Sequence, residues 1–98
     1  MWIEVACNAL RQKKLLDLDY GVFRRRVEVH AVGYSKFGHP VARVWQVGQG
    51  SGPTDKGGWK LLRLDEAKAA DIADEPSGAP RSGYKLGDVA IDRIVCEI

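Results

Sequence analysis

Cysteine occurs only twice in this chain of 98 residues, as Cys7 and Cys96. Two cysteines so widely separated are too few for the disulfide framework of a small secreted domain, and both are expected to be reduced thiols in the core. Histidine is equally scarce, and His30 and His39 complete the set of soft metal ligands. None of the four is paired at the spacing of about two to five residues from which structural zinc sites are built, so no metal and no cofactor is expected. Met1-Trp2-Ile3-Glu4 lacks the basic stretch and apolar core of a signal peptide. No apolar run approaches the roughly 18 residues of a membrane span. The expectation is a cytoplasmic protein without membrane contact. Internal repeats and linker-like tracts are also missing, so residues 1 to 98 read as a single domain.

The hydrophobic fraction of 45% and charged fraction of 29% are those of an ordinary globular chain, folding alone or as a homodimer. A chain of this length buries about 60 to 70% of the surface its unfolded form exposes, enough for one core and one site. The net charge of +2 conceals an asymmetry. Residues 1 to 63 hold 11 Lys and Arg against 5 Asp and Glu, and residues 64 to 98 hold 4 against 8, giving +6 and −4. The basic part is compatible with an anionic partner without demanding nucleic acid.

Ile3, Ala6, Cys7 and Leu10 recur at helical spacing, with Glu4 near the positive end of the dipole and Arg11, Lys13 and Lys14 near the negative end, which predicts an amphipathic helix over residues 2 to 12. Leu16, Leu18 and Tyr20 alternate with Asp17 and Asp19 as in a half-buried strand, and Gly21 supplies a turn. Arg24 to Gly33 alternates again, placing Val27, Val29 and Ala31 on one face and Arg24, Arg26, Glu28 and His30 on the other. Val41 to Val47 and Trp59 to Arg63 read as strands, separated by a glycine-rich loop from Gly48 to Gly58 expected to be the most mobile part of the chain. Asp65 and Glu66 lead into an Ala-rich segment, Ala67 to Asp74, predicted to be a short helix. After a loop over residues 76 to 83, Ile94, Cys96 and Ile98 mark a closing strand. Five short strands with one or two helices point to a small barrel or a strongly bent sheet.

The glycine-rich loop lies between strands and lacks the Gly-Lys-Ser/Thr ending of a phosphate-binding loop. Asp17 with Asp19 and Asp71 with Asp74 read as solvated charge, and no local Ser-His-Asp pattern or other catalytic signature is present. The most informative cluster is basic. Alternation sets Arg24 and Arg26 with His30 on one strand face and Arg25 on the other; Arg43 and Arg63 extend this face if their strands pair alongside. Trp45 or Trp59 offers a stacking surface. The competing reading is a charged strand face that discourages aggregation, over buried tryptophans.

Leu18-Asp19-Tyr20, RRVEVHAVG from Arg25 and GWKLLRLDEA from Gly58 together resemble the WYL domain, a prokaryotic module built on an SH3-like or Sm-like barrel. The similarity spans roughly Leu16 to Ala67. Val29 stands where that family usually has proline, and Val41-Ala42-Arg43 or its neighbours replace its Trp-Tyr-Leu trio. The resemblance implies a pocket lined or supported by Tyr20, Arg26, His30 and Arg63, and a role in prokaryotic transcription regulation or phage defence, as a WYL-like domain standing alone.

The expected fold is mainly β with flanking helices, a small five-stranded SH3-like barrel carrying an N-terminal helix. The expected function is non-catalytic binding of a ligand, nucleotide or nucleic acid through Tyr20, Arg24, Arg26, His30, Arg43 and Arg63, with Arg26 and Arg63 on phosphate. An adaptor that binds another protein is the alternative, and a small hydrolase or nuclease a weaker one.

Overall fold

A computed structural model describes residues 2–50 and 52–98; Met1, and Ser51 of the glycine-rich loop, lie outside the described residues. The chain forms helix α1 (Ile3–Gln12) and strands β1 (Lys14–Asp19), β2 (Arg24–Tyr34), β3 (Pro40–Val47), β4 (Gly58–Arg63), β5 (Ala69–Pro76) and β6 (Arg93–Glu97), with a 3-10 turn at Leu64–Glu66. Helix α1 follows the expected periodicity, burying Ala6, Cys7, Ala9 and Leu10 on one face. It ends where Lys13 turns into the left-handed region at φ 57° and caps the last turn with its N–H, so that β1 begins at the next residue.

All strand pairs are antiparallel, and the sheet runs β4-β3-β2-β1-β5. Strand β2 is the axis. One edge pairs with β3 along most of its length, while the other is divided between β1, opposite Arg24 to Val27, and β6, opposite Ala31 to Tyr34. Leu16, Leu18, Val27, Val29, Val44 and Leu62 form the main core with the buried face of α1. The opposite face is covered by the segment between β5 and β6, where Ile91 packs with Ala31 and Val41. The arrangement is helix on sheet on irregular chain.

Three expectations are corrected here. The sheet has six strands and is open, its outer strands β4 and β5 unpaired with each other, in place of a closed five-stranded SH3-like barrel. The apolar side chains that would fill a bore pack on α1 instead, so the mainly-β class with one N-terminal helix holds and the closure does not. The Ala-rich segment is strand β5, not a helix. Its propensity yields to the β1 edge, where Ala70 and Ile72 pair with Leu18 and Leu16 and join the core. Finally, Cys7 and Cys96 are not thiols but a disulfide, with Cα atoms 5.9 Å apart. Residues 89 positions apart in sequence are brought together because α1 lies across the sheet beside β6. Disulfides are rare in reducing cytosol, so the ground for a cytoplasmic placement is lost. Among the described residues no helix is long and apolar enough to cross a membrane.

Gly33 marks a close approach of two backbones. A Cβ there would clash with the Arg93 carbonyl oxygen and sit 2.9 Å from Ile94 Cα, beside the irregularity where β6 slips register on β2. Gly33→Ala is expected to cost about 1 to 3 kcal/mol in urea unfolding, and parental stability would show that β6 can retreat freely. Removing the disulfide with Cys7→Ala and Cys96→Ala releases a cross-link spanning 89 residues. The expected loss is about 4 to 5 kcal/mol, matched by reductant on the unsubstituted protein; an unchanged midpoint would mean that the bond does not restrict the unfolded chain.

Candidate functional site

The sheet face away from α1 carries polar side chains that burial makes costly unless they are paired. Glu28 and His30 are both buried on it. The Glu28 carboxylate accepts from Arg81 Nε at 2.6 Å and from the Gly78 N–H at 2.6 Å. His30 Nε2 accepts from the Arg81 backbone N–H at 2.9 Å, which leaves the proton on Nδ1, 3.0 Å from the Glu28 carbonyl. The pairing of β2 with β3 slips between Val29 and Ala31, so His30 is the extra residue of a bulge. Its ring lies edge-on to Trp59 at 4.7 Å and beside Tyr84 at 5.1 Å. Burial pushes the His30 imidazole below its usual range, against the opposing hydrogen bond and charge of Glu28. Burial alone would raise Glu28, but the hydrogen bonds from Arg81 and Gly78 outweigh it and hold the carboxylate below its usual range.

A second knot fixes the glycine-rich loop. Buried Asp55 accepts from Gln46 Nε2 and the Gly57 N–H, both at 2.8 Å, and lies 3.5 Å from Arg25 Nη1 and 3.4 Å from Lys60 Nζ. The segment expected to be the most mobile is thus tied to the sheet at its C-terminal half.

The sequence-predicted site residues are dispersed. Tyr20 donates its hydroxyl to the Arg63 carbonyl at 2.9 Å, tying the end of β1 to the end of β4, and burial raises its pKa to about 12. Arg26 is held by Asp17 at 2.8 and 3.0 Å and by Glu75, and Arg63 by Asp65 at 2.8 and 2.6 Å. Among the described residues Arg24 makes one loose contact, 4.0 Å to Asp19, with a side chain 84% exposed. Arg24, Arg25 and Arg26 share a cleft of about 300 Å³ with Val47, Gln49 and Gly50. His30 belongs to neither this cleft nor the surface, because residues 77 to 84 and Trp59 cover its end of the face.

Arg43 and Trp59 meet elsewhere. They sit on neighbouring strands in one wall of a cleft of about 360 Å³ whose other wall is residues 83 to 89. That wall is irregular backbone, yet it is held at several points. Glu97 of β6 accepts the Tyr84 hydroxyl at 2.6 Å and the Gly87 N–H at 2.7 Å. Asp88 is paired with the Arg43 guanidinium and accepts the Ala90 N–H at 3.0 Å. Tyr84, Leu86 and Val89 make the lining apolar, with Leu86 72% and Val89 100% exposed. The Trp59 indole N–H and the Lys85 ammonium complete it, and among the described residues neither has a hydrogen-bond or ion-pair partner. Burial, together with the hydrogen bond to Glu97, raises the Tyr84 hydroxyl far above neutrality, so it serves as a hydrogen-bonding group and not as a base.

No protein-family model, curated protein or solved structure matches this chain. The likeness to the WYL domain therefore rested on short strand segments, and the open sheet overturns it. The SH3-like barrel falls with it, and the regulatory or defence roles lose the resemblance that implied them. Among the described residues no group of three or more His, Cys, Asp or Glu side chains could hold a metal ion. Sequence reading singled out Arg43 and Trp59 but missed Tyr84, Lys85, Leu86 and Val89, because a segment that is neither helix nor strand carries no periodicity.

The polar layer predicts a particular pH dependence. His30 titrates near 6.5 when unfolded and lower when folded, so its contribution is complete above about pH 6.5 and is lost as pH falls toward the folded value. Glu28, with an ordinary value of 4.5 and a lower folded one, adds a further loss beginning below about pH 4.5. Urea unfolding across pH should show both declines, and His30→Gln should abolish the upper one only. Identical pH profiles for the two proteins would exclude a neutral, buried His30.

Proposed function

We propose that this chain is a non-catalytic binding module that takes a small organic ligand in the cleft between β4 and residues 83 to 89. The observation that carries the reading is the pairing of a pre-formed apolar wall with two donors, the Trp59 indole N–H and Lys85, that the fold leaves unused. Small-ligand sites are concave, mostly apolar and supplied with a few placed polar groups, and about 360 Å³ lies within their usual range. Two of the titratable groups of the lining are committed, Asp88 to Arg43 and the Tyr84 hydroxyl to Glu97, which supports binding over catalysis. Nucleic-acid binding at the Arg24 cleft is the second reading, favoured by three adjacent arginines. Against it, Arg26 is already neutralised by Asp17 and Glu75, and Arg25 faces Asp55.

The two readings separate in one NMR titration of amide-labelled protein. Aromatic fragments at about 1 mM, the range of weak ligands, are expected to shift Trp59 and residues 83 to 89. Short single-stranded DNA or RNA at about 50 mM salt, where phosphate contacts are strong, is expected to leave Arg24, Gln49 and Gly50 unmoved. Shifts at those residues with a silent Trp59 cleft would reverse the assignment.

A further inference from the structure

We infer that the Trp59 cleft selects a monoanionic carboxylate carried on a planar apolar body. The inference rests on the reading of the cleft as the binding site and adds the chemical class of its occupant. Three features of the lining define that class.

The first is charge. Arg43, Lys85 and Asp88 leave the lining with one excess positive charge. Arg43 gives its Nε and one Nη2 donor to Asp88, so the guanidinium and carboxylate largely cancel and the unpaired ammonium of Lys85 sets the sign. One uncompensated cation suits one negative charge. A phosphate dianion would face the Asp88 carboxylate in the cleft wall and Glu97 just behind Tyr84 and Gly87, and like charges at such range are repulsive.

The second is donor geometry. The Trp59 indole nitrogen lies 3.6 Å from the position that a Cβ on Gly83 would occupy, an ordinary contact distance, and both residues line the cleft, so the indole edge borders it beside Gly83. An indole N–H is a donor without acceptor capacity, as is an ammonium. A group that meets both must supply acceptor oxygens and need supply no proton, as a carboxylate does. A neutral amide would oppose part of its own donor set to Lys85.

The third is shape. Trp59 and Tyr84 are tilted by only 33° with centroids 6.0 Å apart, and Leu86 and Val89 lie uncovered at the rim. Flat apolar surface beside exposed aliphatic side chains favours a planar body of one or two rings.

The test is a titration with three probes of one body and different heads, naphthylacetate, naphthylacetamide and naphthyl phosphate, followed at the Trp59 indole N–H and at residues 83 to 89. Naphthylacetate is expected to bind about tenfold more tightly than either of the others, as charge-assisted hydrogen bonds predict. Lys85→Ala should weaken the acetate by about threefold to tenfold and leave the amide nearly unchanged, whereas Trp59→Phe should weaken both, because the amide carbonyl also accepts from the indole N–H. Lys85 is exposed, so its replacement does not disturb the fold. Equal binding of acetate and amide at the cleft, or tighter binding of the phosphate, would overturn the carboxylate inference and leave the site standing. Silence at the cleft with every probe would overturn both.

Discussion

The Glu28–Arg81 ion pair is the interaction through which a stretch of chain without helix or strand becomes part of the fold. Strand β2 is central, and from Val27 to Gly33 it is buried on both faces. On the side of α1 this is apolar packing. On the other side, a carboxylate and an imidazole must be covered, and water is replaced by Arg81, the Gly78 N–H and the Arg81 N–H. A buried charge left without its partner would be strongly unfavourable, so the loop that supplies those donors is fixed by the same requirement. Arg81 also lies over the Trp45 ring at 5.0 Å, and Trp45 meets Trp59 edge to face. The ion pair, the aromatic stack and the cleft wall are one connected layer.

That layer gives the cleft its rigidity. Residues 83 to 89 make no sheet ladder, yet Glu97 and Arg43 hold them, and the Tyr84 ring packs beside His30. A site on irregular backbone is usually imprecise; here the anchors come from β3 and β6, which are themselves strands of the sheet. The disulfide completes the frame by tying α1 to β6, the strand that supplies Glu97. Sheet, cross-link and polar layer therefore meet around β2 and its neighbours.

The arginines show how a charge pattern differs from a charge surface. Six of them, at positions 24, 25, 26, 43, 63 and 81, have a carboxylate within 4.0 Å. The basic first part of the chain and the acidic second part meet in space where Arg26 reaches Glu75 and Arg43 reaches Asp88. The asymmetry along the sequence is internal complementarity to that extent, and it leaves Lys85 as the cation that matters in the cleft.

Local patterns determined much of the fold. The 3.6-residue spacing of Ile3, Ala6, Cys7 and Leu10 and the alternation through β1 and β2 are visible because each element repeats its burial at a fixed period. Three things were decided only by tertiary structure. Residues 69 to 76 became a strand because an unpaired β1 edge was available, and edge pairing outweighs the preference of alanine for helix. Cys7 and Cys96 became a disulfide because helix packing, which no spacing encodes, set their separation. The cleft arose because isolated residues from β3, β4 and an aperiodic loop meet there, and contacts between distant segments leave no period in the sequence to read.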